Sequence, residues 1–194
     1  NYDKSNENYI RTFTKHPFSI GIGKQYWWGI NPKYSSNLTF ISKTEFKSEF
    51  DSKEKKTTKP SSDFSEALAV TVSPSKKEIW NNFGFAIYKW ERVDLSNIYG
   101  SSAIQFKIKS KTIPKLKTTL RSYTGKTRAI HKVITENNYS KIKEGYYNVC
   151  IPLKSFSNFK QFNWTALKEI RFKLLENSNF KIGDFEIIEF RGNP

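Results

Sequence analysis

From about residue 66 to its end, this chain alternates apolar and polar side chains with a period of two, the spacing of strands that bury one face. In "AIQFKIKS" (103–110), Ile104, Phe106 and Ile108 alternate with Gln105, Lys107 and Lys109; in "EALAVTV" (66–72), Leu68, Val70 and Val72 oppose Ala67, Ala69 and Thr71. The pattern returns at 116–123, 128–134, 146–153, 169–175 and 180–190, between clusters of Gly, Asn, Ser and Pro. Short strands punctuated in this way build an antiparallel sandwich or barrel. Aromatic residues point the same way: they make up 16% of the chain against 37% for all hydrophobics, and Phe, Tyr and Trp favour pleated, half-buried surfaces. A short helix or turn is expected only near 73–83 or around "NWTALKEI" (163–170). At 194 residues, the expectation is one all-β domain over residues 1–194, interrupted by a charged, mobile loop at 43–63.

Alternation also sorts residues by face. Leu116 and Leu120 turn inward from Lys117, Thr119, Arg121 and Tyr123, and Tyr147, Val149 and Ile151 from Tyr146, Asn148 and Cys150. Likewise Ile170, Phe172 and Leu174 turn away from Arg171 and Lys173, and Phe83, Phe85 and Ile87 away from Ala86, Tyr88 and Trp90. His131 is undecided, with Ile130 and Ile134 on one side of its strand and Ala129 and Val133 on the other. "QYWWG" (25–29) reads as a loop in which one of Trp27 and Trp28 caps the core while the other stays partly exposed; Trp80 and Trp164 are expected to close its ends. Asp94 and Ser96 read as turn chemistry.

Several chemistries are excluded or disfavoured. "SYTGKT" ends like a phosphate-cradling loop, but Leu120 stands where its first glycine belongs; "SIGIGKQY" has Tyr26 at the third glycine position of a dinucleotide fingerprint. Two histidines, His16 and His131, with the single Cys150 cannot close a zinc site or a disulfide, and neither histidine accompanies a G-x-S-x-G nucleophile. Asp184 and Glu186 share a strand face with Glu189 opposite, which solvated edge pairs also do. The balance of 33 Lys and Arg against 18 Asp and Glu, a net +15, attracts polyanions. The lysines are scattered and no RNP-like run occurs, so a polyanion- or nucleic-acid-binding β-domain is kept only as an alternative. No apolar run reaches the roughly 18 residues of a membrane span. A chain starting at Asn1 without any Met reads as a processed form or an excised domain.

The order of "WNNFGFAIYKW", "DLSNIY" (94–99), "LRSYTGKTRAIHKV", "VCIPL" (149–153) and "IGDFEI" (182–187) resembles bacterial carbohydrate-binding modules with a galactose-binding-like jelly-roll fold, appended to polysaccharide-degrading enzymes. The resemblance covers about residues 65–190. It implies a jelly-roll β-sandwich of two antiparallel sheets with a concave ligand face, a non-catalytic polysaccharide-binding role, a catalytic domain in the same parent protein, and an extracellular or cell-surface location. No cofactor is required for binding. A structural calcium is implied, with Asp184 as a ligand, although Gly183 stands where the family pattern has an acid.

Combining the resemblance with the outward residues gives twelve ligand-binding candidates: Trp27, Trp28, Tyr88, Trp90, Gln105, Lys107, Arg121, Tyr123, His131, Tyr146, Asn148 and Arg171. Aromatic faces suit sugar C–H faces, and Arg, Asn and Gln suit hydroxyls. Arg121, Lys107 and Arg171 would favour a uronate or sulfated glycan, against a neutral β-glucan or mannan. A jelly-roll polysaccharide lyase is the catalytic alternative, with Tyr123 or Tyr139 beside Arg121 and His131, but its R-x-E-L-R and Q-I-H strand motifs are missing.

Overall fold

The alternating segments pair into two sheets in the computed structural model, which describes residues 9–21, 23, 26–29, 37–41, 45–46, 50, 69–73, 82–176 and 178–192. The strands are β1 (Ile10–Thr12), β2 (Phe18–Ser19), β3 (Trp27–Trp28), β4 (Asn37–Ile41), β5 (Ala69–Ser73), β6 (Asn82–Ala86), β7 (Arg92–Asp94), β8 (Ser102–Lys109), β9 (Leu116–Ser122), β10 (Ala129–Val133), β11 (Tyr139–Lys143), β12 (Tyr146–Pro152), β13 (Leu167–Leu174) and β14 (Phe180–Glu189). The first sheet runs β10-β9-β13-β6-β3; β7 takes over from β6 at the start of β13 and carries β1 outside it. The second runs β11-β12-β8-β14-β5-β4, with β2 along the other end of β14. Strand pairs are antiparallel except β1 with β7. This is the jelly-roll sandwich that the resemblance implied, and it is almost free of helix.

Facing aromatic rings lock the two sheets together. Phe106 of β8 meets Phe172 of β13 at 5.5 Å between ring centroids, and Phe185 of β14 meets Phe85 of β6 at 4.8 Å. Trp27 continues this row at 4.6 Å from Phe85, its indole N–H donating to the Gly21 carbonyl at 3.0 Å. Such pairs add about 0.5–1.5 kcal/mol each beyond the area they bury. Trp164 is buried at one end, stacked on Tyr99, with its N–H donated to the Phe159 carbonyl. Trp80 lies outside the described residues, as does nearly all of the helix expected near 73–83; around 163–170 the chain makes a turn into β13.

Period-two reasoning holds wherever a strand stays regular. Along β9, Leu116, Thr118, Leu120 and Ser122 are buried while Lys117, Thr119 and Arg121 are not. In β10, Ile130 is buried and His131 is exposed, which settles its direction. The reading fails at irregularities. β6 ends at Ala86, which lies on the outer face as alternation expects but is fully buried there, and the chain then turns through Lys89 and Trp90, both at positive φ (46° and 64°). Tyr88 therefore leaves the strand and packs under the N-terminal segment, with the Arg11 guanidinium 4.3 Å from its ring centroid and Phe13 at 6.0 Å. Of the charged stretch 43–63, residues 45, 46 and 50 are described; Phe46 and Phe50 are buried with Ile41 against Tyr146, so this part packs on the second sheet, and the rest lies outside the described residues.

Candidate functional site

Strand register builds the outer face of the first sheet. Trp28 of β3 pairs with Gly84 of β6, Gly84 with Arg171 of β13, Arg171 with Thr119 of β9, and Thr119 with His131 of β10. These residues form one row across five strands, and four spacings of about 4.8 Å extend it over roughly 19 Å. The next row holds Ala86, Glu169, Arg121 and Ala129; the row on the other side holds Asn82, Lys173, Lys117 and Val133.

Glycine at position 84 lets an indole lie against the sheet. A Cβ there would stand 2.7 Å from Trp28 Cζ2 and 2.4 Å from the Ile170 carbonyl oxygen, so no larger residue fits without displacing Trp28 or the backbone. On the other side of that glycine, the Arg171 guanidinium lies 5.1 Å from the Trp28 ring centroid, a cation–π distance. Arg171 is held in turn by Glu169, whose carboxylate is almost wholly buried: Nε and Nη2 both donate to Oε2, at 2.8 and 2.5 Å. Tyr123 donates its hydroxyl to the other oxygen, Oε1, at 2.7 Å, and Arg121 lies 5.6 Å from the Tyr123 ring centroid. One buried carboxylate thus fixes an arginine and a tyrosine beside a tryptophan. Burial, then the hydrogen bond to Glu169, holds the Tyr123 hydroxyl above its ordinary ionisation range, which makes its phenolate harder to form. His131 Nδ1 lies 2.8 Å from Thr119 Oγ1; burial and then the Lys117 and Arg121 cations push the imidazole down, toward the neutral form.

The twelve sequence candidates do not form one site. Trp28, Arg121, Tyr123, His131 and Arg171 share the outer face of the first sheet. Gln105, Lys107, Tyr146 and Asn148 share the outer face of the second, where Lys107 donates to Asp184 at 2.8 Å. Trp27 is core, and Tyr88 and Trp90 belong to the turn after β6. Glu169, Gly84 and Thr119 were missed. Glu169 could have been found, since it stands two residues before Arg171 on the same strand face; Gly84 carries no side chain for an alternation pattern to register.

Calcium does not fit at Asp184. Its carboxylate already accepts from a lysine ammonium, and among the described residues no three His, Cys, Asp or Glu side chains lie together. Asp184 instead marks a bulge, at φ 56°, where β14 slips against β8 between Gly183 and Glu186. The lyase constellation is also divided: Tyr139 lies at the edge of the second sheet, its hydroxyl donated to the Pro114 carbonyl and burial holding it far above the ordinary range. Asp94 and Ser96 form the expected turn, the Ser96 N–H donating to Asp94 Oδ1 at 2.8 Å. No helix among the described residues is long and apolar enough to cross a membrane.

A family model described as carbohydrate binding domain 30 matches residues 23–189, extending the resemblance to the N-terminal third. The fold is similar to that of the family 30 carbohydrate-binding module of the cellulosomal cellulase Cel9D-Cel44B of Clostridium thermocellum, at 15% identity and a TM-score of 0.52 over 93% of this chain and 96% of that one. A further family 30 module matches at 13% identity and 0.53, over 91% and 96%. The solution structure of CtCBM11 matches at 12% identity and 0.57, over 91% and 96%. No curated protein matches the sequence.

Proposed function

The chain belongs to the carbohydrate binding domain 30 family, and from that premise we propose that it holds a neutral glycan chain across the outer face of its first sheet, in line with Trp28 and Arg171. Non-catalytic carbohydrate binding is the family's role; the face, the glycan class and the targeting role are this proposal. The observation that carries it is the Trp28 indole lying on Gly84 beside an arginine fixed by a buried carboxylate. An indole face offers apolar area to sugar C–H groups, and Arg171 and Tyr123, fixed by the buried Glu169, offer donors and acceptors to hydroxyls without losing further side-chain freedom. A neutral ligand is favoured over an acidic one because the Arg171 charge is already met by Glu169, and Lys107 lies on the other sheet. Attached to a catalytic domain in a secreted or cell-surface parent protein, such a module raises the local concentration of substrate around that enzyme by tethering.

Affinity electrophoresis in gels containing neutral β-glucan, mannan or polygalacturonate tests this reading. The native protein is expected to be retarded by a neutral glycan, and Trp28→Ala to lose that retardation, since an anchoring aromatic contributes about 2 kcal/mol or more. Unchanged retardation of Trp28→Ala by neutral glycans would place their binding elsewhere.

A further inference from the structure

The outer face of the first sheet is charged at one end only. On β3 and β6 its outward residues are Trp28, Asn82, Gly84 and Ala86, none of them ionisable; on β13 and β9 they are Glu169, Arg171 and Lys173, then Lys117, Thr119 and Arg121. Glu169 is the one carboxylate in these rows, and its two oxygens accept from Arg171 and Tyr123. Lys117, Lys173 and Arg121 are left with no ion pair among the described residues. Lys117 and Lys173 are direct cross-strand partners, like charges in a position where sheets ordinarily set opposite ones. Arg121 Nε is buried without a hydrogen-bond partner.

The three cations surround one spot. Thr119 stands two residues from Lys117 and two from Arg121 on the same strand face, roughly 7 Å along the strand in each direction. Its hydroxyl lies 2.8 Å from Nδ1 of the exposed His131. Burial first, and then the fields of Lys117 and Arg121, push that imidazole toward its neutral form, so the positive potential of both cations reaches it. A hydroxyl and an imidazole flanked by unpaired cations suit an oxyanion, which accepts from the hydroxyl and meets the surrounding charge.

Resting on the reading that a neutral glycan backbone lies along the row through Trp28 and Arg171, we infer that this backbone carries an acidic substituent, a carboxylate or a sulfate, received over Thr119 among Lys117, Lys173 and Arg121. The Trp28 indole lies on Gly84 of β6, and two strand spacings separate β6 from β9. The substituent thus stands roughly 10 Å along the chain from the ring stacked on Trp28. The backbone stays neutral where it crosses Arg171, whose charge Glu169 meets, and the substituent meets the charges that no carboxylate does. A nucleic acid strand, with a phosphate at every nucleotide, would leave its charge unmet over β3 and β6, where the face has no cation.

The experiment is titration calorimetry with carboxymethyl cellulose and cellulose sulfate against the uncharged hydroxyethyl cellulose, at low and high salt. The native protein is expected to bind an acidic polymer about fivefold or more tighter than the uncharged one at low salt, with the margin shrinking as salt rises. Which acidic polymer shows the margin separates carboxylate from sulfate. In Lys117→Gln/Lys173→Gln the margin is expected to vanish while hydroxyethyl cellulose is still bound, which also shows that the variant is folded. If that variant loses the uncharged polymer as well, the single exposed change Lys173→Gln replaces it, with a smaller loss of margin expected. Lys111→Gln/Lys141→Gln removes the same charge from exposed positions on the second sheet's side and is expected to keep the margin. Equal binding of charged and uncharged polymers by the native protein would overturn the inference and leave the neutral reading standing, whereas hydroxyethyl cellulose binding unchanged in Trp28→Ala would overturn the placement on which it rests. A margin lost equally in the second-sheet variant would overturn it in favour of net charge, and a single-stranded oligonucleotide bound as tightly as the acidic polymers in favour of a general polyanion surface. Binding of none of the three polymers by the native protein would overturn it outright.

Discussion

The two outer faces of the sandwich obey the same alternation and are arranged differently. On the first sheet, a carboxylate is buried beneath the side chains that it organises, and a glycine is cleared so that an indole can lie on the backbone. On the second, the aromatic Tyr146 is enclosed by Phe50 at 4.9 Å and by lysines, and part of the face is covered by the cluster of Ile41, Phe46 and Phe50. Trp28 and Tyr146 are both half-buried, so the faces differ in how their polar groups are fixed, Arg171 and Tyr123 by one buried carboxylate against Tyr146 packed by Phe50 and lysines; residue composition does not separate them, because both faces carry Lys, Tyr and polar amides.

The contrast breaks most severely at Gly84. Gly84→Val is expected to destabilise the protein by roughly 1–3 kcal/mol, through overpacking against the Ile170 carbonyl, and to abolish neutral-glycan retardation by displacing Trp28. Urea unfolding and affinity electrophoresis on the same sample check both parts. A variant that keeps full stability and binding would show that Trp28 does not depend on that clearance.

The ion pairs give a second comparison. Glu169 is 3% exposed at its side chain and Asp184 14%. Glu169→Gln removes a buried charge that serves both Arg171 and Tyr123 and is expected to cost about 1–3 kcal/mol together with neutral-glycan affinity. Asp184→Asn is expected to cost under about 1 kcal/mol and to leave that affinity unchanged. Equal losses in the two variants would mean that burial of the carboxylate is not what separates the faces.

Alkaline titration sharpens the comparison with smaller effects. Tyr139 on the second sheet and Tyr123 on the first are both held above their ordinary range, so both ionise more readily in the unfolded chain. Their contribution to stability is complete below about pH 10 and is lost as the pH rises through their folded-state values. Tyr139→Phe should remove the larger part of this alkaline loss and Tyr123→Phe the smaller, as followed by thermal melting across that range. The smallest effect belongs to His131, whose imidazole is pushed down by burial and by Lys117 and Arg121. Folding stability is unaffected by this group above about pH 6.5 and falls as the pH drops below it; His131→Gln should flatten that decline in melting curves taken from pH 7 to pH 5.

How much was legible in the sequence follows from where the backbone stays regular. Along β8, β9, β12 and β13, period two sorted inside from outside, and the outward placement of Arg121 and Arg171 came directly from it. It failed at Tyr88 and Trp90, because extrapolating a strand past Ala86 cannot anticipate two successive residues at positive φ. It also failed to find a packed role for Phe46 and Phe50 in a stretch that reads as charged and mobile, since two aromatics among lysines and glutamates find a partner only through a distant strand.

Fold class, the identity of the buried face and the family resemblance were therefore determined by the sequence alone, because each rests on local periodicity or on motif order along the chain. The grouping of outward residues was decided by tertiary structure. Register between strands far apart in sequence sets Trp28 beside Gly84 and Gly84 beside Arg171, sends Lys107 and Tyr146 to the opposite face, and lets one buried carboxylate join Arg171 to Tyr123. Alternation states which side of its own strand a residue occupies; only the pairing of strands states which residues share a surface.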